Sequence, residues 1–196
     1  MREQLEVDAG AADRRRRADM TLAELIELCE GRINGLSRTR QAFEHGGAPE
    51  RVASMLADLG VTASGWDAAV GRLPDGDPVA VRAGARTVRD GAPGFGAVAE
   101  VLDTYASALE SGRARHAGGI ASLRVAQQRA AVLPAIDSGG DPDRAEGASQ
   151  AAIAVLDLAC AGYAACQDAY ESARDAEEAL YAALSYVRVS HPDQPQ

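Results

Sequence analysis

Residues 141–190, DPDRAEGASQAAIAVLDLACAGYAACQDAYESARDAEEALYAALSYVRVS, decide the fold of this chain. The stretch opens on Asp141 and Pro142, residue types that cap a helix and occupy its first turn. Apolar residues then recur at spacings typical of one helix face: Ile153, Leu156, Cys160, Tyr163, Tyr170, Leu180, Leu184 and Val187. The opposite face is acidic. The pattern predicts a single long helix over about 142–189.

A second long helical pattern precedes this one. From Phe95 to Leu133, apolar or small residues recur in steps of three and four, and Pro134 stops the pattern. If it is continuous, this helix has about 40 residues and a length on the order of 60 Å. Gly118 and Gly119 are the place where it could kink. Two long helices joined by a short loop are expected to pack antiparallel.

A third helix is predicted over 21–44. Thr21 and Glu24 have the spacing of a capping box, which satisfies free N–H groups at a helix start. The following apolar residues have heptad spacing, with Arg40 in the place of one apolar member: Leu22, Ile26, Cys29, Ile33, Leu36 and Phe43. One narrow face of this helix is therefore expected to pack on another helix.

Three shorter helices are predicted over 52–59, 64–73 and 78–90. One face of the last carries three arginines, Arg82, Arg86 and Arg89. We expect this face to pair with the acidic side of the long C-terminal helix or with another copy, although each exposed ion pair contributes little.

No segment has the alternation of a β-strand, so the predicted fold class is all-α. It is an elongated helical bundle around two long antiparallel helices. We predict that residues 1–19 form a flexible polar arm, 20–73 a region of short helices, and 74–196 a long helical hairpin. The last two regions are expected to form one domain. Met20 is an alternative natural start.

Composition narrows the classes of function. The formal net charge is −9, which disfavours nucleic-acid binding because phosphate is also negative. Hydrophobic residues make up 46% but aromatic residues only 4%. Much of the apolar content is alanine, which favours helix yet buries little area. Such helices are expected to pack closely through small residues or to use the surface of a partner.

Catalytic and metal-binding patterns are not found. Cys29, Cys160 and Cys166 form no C-x-x-C pair, so we expect neither a disulfide framework nor a thiolate zinc site. His116 has no carboxylate or histidine one turn away that would complete a ligand set. The G-x-G-x-x-A at 94–99 has no preceding strand and reads as the start of a helix. We therefore predict no catalytic, cofactor-binding or metal-ligating residue, and no enzyme.

The expected compartment is the cytoplasm. No apolar run is judged long enough to span a membrane, and no apolar segment follows the N-terminal charges as in a secretory signal. Export by a route that needs no signal peptide stays open.

Two stretches resemble a known family. Residues 66–69 (WDAA) and 98–109 (VAEVLDTYASAL) resemble the helical-hairpin domains of type VII secretion substrates in actinobacteria, including the Trp-x-Gly family. The resemblance covers roughly residues 62–133 and implies pairing with a helical partner in a four-helix bundle. Three departures matter. Ala68 stands where the motif has glycine, and Trp66 precedes two further elements instead of lying in the turn of the hairpin. Tyr163, Tyr170 and Tyr181 lack the acidic residue four positions on that serves as the family's export signal. The resemblance therefore implies a diverged or cytoplasmic relative.

The predicted function is non-catalytic docking of helices, either with a helical partner or with copies of the same chain. One alternative is a structural subunit of a self-assembling phage-like or compartment particle; residues 20–59 also resemble helical hairpins of small phage-derived proteins. Another is a small-ligand or metal-dependent helical-bundle enzyme. The candidate interface residues are Trp66, Leu102, Tyr105, Leu109, Ile153, Leu156 and Tyr163.

Overall fold

The computed structural model describes residues 20–44, 76–133 and 142–190. These form four α-helices and one short 3₁₀ helix: α1 Leu22–Glu44, α2 Pro78–Gly91, the 3₁₀ helix Pro93–Phe95, α3 Gly96–Ala130 and α4 Pro142–Ser190. No strand occurs in those ranges, and the all-α bundle is confirmed. The predicted arm at 1–19 and the helices at 52–59 and 64–73 lie outside the described residues, and the predicted domain boundaries stay a prediction.

Helix α1 begins with the expected capping box. The backbone N–H of Thr21 donates to Glu24 Oε2 at 2.7 Å, and the N–H of Glu24 donates to Thr21 Oγ1 at 3.3 Å. Two backbone donors that lack an intrahelical acceptor are thereby satisfied. The hydrogen bonds that Glu24 accepts hold the pKa of its carboxyl below the usual value.

Helix α2 also starts as its sequence predicts. Asp77 is its N-cap and accepts a hydrogen bond from the N–H of Val79 at 2.9 Å, with Pro78 in the first turn. Proline suits this position because its missing N–H would have no partner there. After Gly91 the chain makes one 3₁₀ turn and enters α3 directly.

Helix α3 is continuous through Gly118 and Gly119. The sequence left open whether the helix breaks there, and it does not. Its ends differ slightly from the predicted bounds of 95 and 133. Phe95 belongs to the 3₁₀ helix, and residues 131–133 form turns whose N–H groups still bond to carbonyls three or four positions back.

The described helices contribute to two compact units. The first holds α1, α3 from His116 onward and α4 up to Gln167. In this unit α4 is antiparallel to α1, because Asp157 meets Arg40 while Cys166 lies near Cys29. It is also antiparallel to α3, because Cys166 meets His116 while Gly162 meets Leu123. Its core contains leucine, valine, cysteine and tyrosine side chains, among which Leu25, Leu36, Leu123, Val155, Leu156 and Tyr163 are almost wholly buried.

The second unit holds α2, α3 up to Arg115 and α4 from Asp168 onward. Helices α2 and α3 run antiparallel, since Arg82 meets Glu110 while Arg89 meets Asp103. The buried apolar residues of this unit are mostly alanine: Ala85, Val98, Ala99, Ala106, Leu109, Ala169, Tyr170, Ala173 and Ala176. Alanine buries little apolar area, so this core is thin.

Candidate docking surface

The predicted interface residues fall into three groups. Leu109, Leu156 and Tyr163 are at most 2% exposed, so they pack among the helices of their own unit. Leu102, Tyr105 and Ile153 are half-buried; Trp66 lies outside the described residues. A role of this set in binding a partner stays a prediction.

In the first unit, α3 and α4 approach closely through glycines. A Cβ added to Gly119 would lie 2.6 Å from the carbonyl oxygen of Gly162 and 2.7 Å from Cys166 Sγ. A Cβ added to Gly162 would lie 2.7 Å from Leu123 Cγ. Real Cβ atoms do not approach other atoms so closely, so both positions require glycine at this helix spacing.

Of the cysteines of the first unit, Cys29 and Cys166 are buried and Cys160 is half-buried. Burial raises the pKa of Cys29 to about 12, and burial together with the neighbouring Cys29 raises the pKa of Cys166 to about 12. Burial also raises the pKa of Cys160, partly offset by a hydrogen bond with Ser37. The thiolate is the reactive form, so the raised pKa values disfavour reactivity, and Cys29 and Cys166 pack as small core residues.

Arg40 joins α1 to α4 at the rim of the first unit. Its Nε lies 2.7 Å from Asp157 Oδ1, as an ion pair outside hydrogen-bond geometry, and its Nη1 lies 2.8 Å from Glu44 Oε1. This explains how an arginine occupies an apolar position of the α1 heptads: the aliphatic stem packs while the charged end reaches the rim.

The arginine face of α2 pairs with α3, which differs from the expected pairing with the C-terminal helix. Arg82 donates from both terminal nitrogens to Glu110, with the Nη2–Oε2 distance at 2.7 Å. Arg89 donates to Asp103 Oδ2 at 2.6 Å. The hydrogen bond from Arg82 lowers the pKa of Glu110. Because α2 lies antiparallel along α3, Arg82 and Arg89 reach acidic residues of α3 and do not pair with the acidic side of α4.

The last described turns of α4 are the main exposed apolar surface. Tyr181, Leu184 and Tyr186 expose 69%, 47% and 74% of their surface. Residues 179–186, ALYAALSY, contain one polar residue, Ser185, so the helix is apolar on every side there. A helix that is apolar all round is normally buried. In this segment Leu180 and Ala183 are half-buried, and the other six residues are exposed.

Tyr105 on α3 lies beside this segment within the second unit. Partial burial raises the pKa of its phenol, and the negative charge of Glu177 and the neighbouring Tyr181 raise it further. The phenol is therefore neutral at physiological pH, and Tyr105 extends the apolar surface of α4 onto α3.

Tyr181, Leu184 and Tyr186 were not among the predicted interface residues. The sequence carries a signal for them, because no charged residue occurs between Glu178 and Arg188. The sequence pattern alone does not show which of these apolar residues stay exposed. Among the described residues, the other large apolar side chains that are exposed are Val79, Val125 and Val132, which are scattered singly, as is ordinary for a protein surface.

Within ranges 20–44, 76–133 and 142–190, no group of three or more His, Cys, Asp or Glu side chains is placed to hold a metal ion. Helix α4 contains a window long and apolar enough, by length and composition alone, to cross a membrane. The same test is passed by core helices of water-soluble proteins, and α4 supplies core residues to both units.

Comparison with known proteins returns no counterpart. No protein-family model, no curated protein and no solved structure matches this chain.

Proposed function

We propose that this protein is non-catalytic and acts by docking another helix against the last turns of α4, over residues 179–186. The observation that carries the proposal is the exposure of Tyr181, Leu184 and Tyr186 on a segment that is apolar on every side. Large exposed apolar patches on a folded chain typically mark interaction sites. A helix docked on the face shared by Tyr181 and Leu184 would bury these two side chains, while Tyr186 lies about 200° around the helix from Leu184.

The contrast along α4 supports this assignment. Between residues 148 and 176 the helix buries residues at helical spacing, whereas from 177 to 186 no described residue is fully buried. Aromatic side chains are also enriched in interfaces, because each buries a large area while its polar end keeps a hydrogen bond. Two of the three exposed side chains are tyrosines.

A relation to type VII secretion remains part of the proposal on the sequence resemblance alone. Pairing in a four-helix bundle, which that resemblance implies, requires an exposed apolar helix face of the kind found at residues 179–186. We do not propose export, because Tyr163, Tyr170 and Tyr181 are not followed four positions later by an acidic residue.

Photo-crosslinking in the native host tests the docking proposal. A photoreactive phenylalanine analogue replaces Tyr181 in the full chain, and the matched control carries it at Gln128, which is exposed on α3. Cells and medium are analysed separately, and the crosslinked peptides are mapped by mass spectrometry. We expect position 181, and not position 128, to crosslink to a peptide from an amphipathic helix.

Absence of a specific crosslink at position 181, in both fractions, would refute docking at this segment. Crosslinks of equal yield at both positions would indicate non-specific contact and would also count against it.

A further inference from the structure

The exposed end of α4 has a stripe with heptad spacing. Glu177, Tyr181, Leu184 and Arg188 follow one another at steps of four, three and four. Such residues share one helix face and form the contact seam of a two-helix coiled coil. Tyr181 and Leu184 in the middle are exposed and apolar, while the outer two positions carry opposite charges.

This stripe is self-complementary when two copies of α4 lie antiparallel. Tyr181 of one copy then lies opposite Leu184 of the other, and the two-fold axis repeats that contact. In the same register, position 177 of each copy lies opposite position 188 of the other. A glutamate therefore meets an arginine at both ends of a central apolar contact.

We propose, on the basis of the docking function above, that the helix docked against α4 is α4 of a second copy of this chain, antiparallel and related by a two-fold axis. The charges decide the direction. A parallel pair would place Glu177 against Glu177 and Arg188 against Arg188, which repel.

The two-fold symmetry also limits the number of copies in the assembly to two. An isologous contact uses the same surface on both copies and closes on itself, so it gives a dimer and no filament. The contact is short, so the dimer is expected to be weak, with a Kd in roughly the micromolar range.

A bilayer is a less suitable occupant than a second copy. Asp175 and Glu178, immediately before the apolar turns, are 68% and 73% exposed at their side chains. Anionic lipid headgroups would repel them. In the antiparallel dimer, by contrast, the acidic turns of each copy lie alongside the acid-free turns 179–190 of the other.

Charge reversal tests the register directly. The full chain and four variants are compared by analytical ultracentrifugation over a concentration series: Glu177→Arg, Arg188→Glu, both together, and Asp175→Arg as control. Asp175 lies about 200° around the helix from Glu177, and its reversal makes the same change in net charge. Circular dichroism confirms that each variant keeps its helix content.

We expect the unsubstituted chain to dimerise. Each single reversal should weaken the dimer by about tenfold or more, because two attractive pairs become two repulsive ones. The double reversal should restore the Kd to within about threefold, and Asp175→Arg should leave it within the same range.

Other outcomes overturn the inference in distinguishable ways. A chain that stays monomeric up to roughly 500 μM, yet crosslinks through position 181 to a different protein, refutes the second copy and leaves the docking function standing. A monomer that binds vesicles of neutral or anionic lipid refutes both. A dimer that the double reversal fails to restore refutes the antiparallel register.

Discussion

The two units of this chain pack their helices with different types of residue. In the first unit, three helices pack through buried leucines and thiols and through a glycine contact so close that a single added Cβ at Gly119 would overlap the carbonyl of Gly162. In the second unit, alanines form most of the core, and α2 is attached to α3 by the Arg82–Glu110 and Arg89–Asp103 ion pairs at the surface.

The two units also differ in where large apolar side chains are exposed. The described leucines and tyrosines that are exposed all lie in the second unit, as Tyr181, Leu184 and Tyr186. An alanine-rich core lets helices approach closely without burying much area. The larger side chains at the end of α4 remain exposed, and the docking proposal rests on them.

The same substitution at two positions of α4 gives the largest expected contrast. Leu156→Ala removes a fully buried side chain from the first unit and should lower the free energy of unfolding by about 2–5 kcal/mol. Leu184→Ala removes a side chain that is 47% exposed and should cost less than about 1 kcal/mol. Urea denaturation at low protein concentration measures both. Similar losses would contradict the proposed division between core and exposed surface.

Adjacent glycines of α3 give a second contrast. Gly119→Ala places a Cβ against backbone and sulfur atoms that cannot move aside, and should cost about 1–3 kcal/mol. Gly118→Ala meets no atom within 4 Å and should stabilise the helix by up to about 1 kcal/mol, because alanine has the higher helix propensity. Thermal denaturation of the two variants should therefore shift the midpoint in opposite directions. A midpoint that does not fall in Gly119→Ala would show that α3 and α4 can separate at this point.

Because the first unit contains buried thiols, we expect its free energy of unfolding to fall at alkaline pH. Burial raises the pKa of Cys29 and Cys166 from 9.0 to about 12 in the folded chain. The stabilisation is fully present below pH 9 and is lost as pH rises towards 12, because only the unfolded chain ionises in that range. Between pH 8 and 10 the loss should be about 1 kcal/mol per thiol.

The double variant Cys29→Ala, Cys166→Ala is the control for that loss. Its unfolding free energy should fall less between pH 8 and 10 than that of the unsubstituted chain, with tyrosine ionisation common to both. An equal fall in the two proteins would contradict the assignment to the thiols.

The helices of this fold could be predicted from the sequence because their signals are local. The capping box at Thr21, the N-cap at Asp77 and the periodic apolar residues each depend on neighbours within one or two turns. The continuity of α3 through Gly118 and Gly119 could not be predicted, because it depends on Gly162 and Cys166, more than 40 positions away in the sequence.

The candidate surface was harder to predict than the helices. Apolar periodicity identifies residues that avoid water, but it does not separate those that pack inside, such as Leu156 and Tyr163, from those that remain exposed, such as Tyr181. That distinction depends on which helices lie alongside. The pairing of Arg82 with Glu110 was missed for the same reason, since the sequence offered acidic residues on both α3 and α4.

The smallest expected effect concerns the surface ion pairs of the second unit. Arg82→Gln removes the two hydrogen bonds to Glu110, whereas Arg86→Gln changes an exposed arginine of the same helix for which no ion pair is found among the described residues. We expect the Arg82 variant alone to show a slightly lower urea midpoint at low salt. The difference should vanish at about 1 M NaCl, where charges are screened beyond about 3 Å. A large loss that persists in salt would mean that Arg82 packs as a core residue, and the thin alanine core of this unit would then not be what limits its stability.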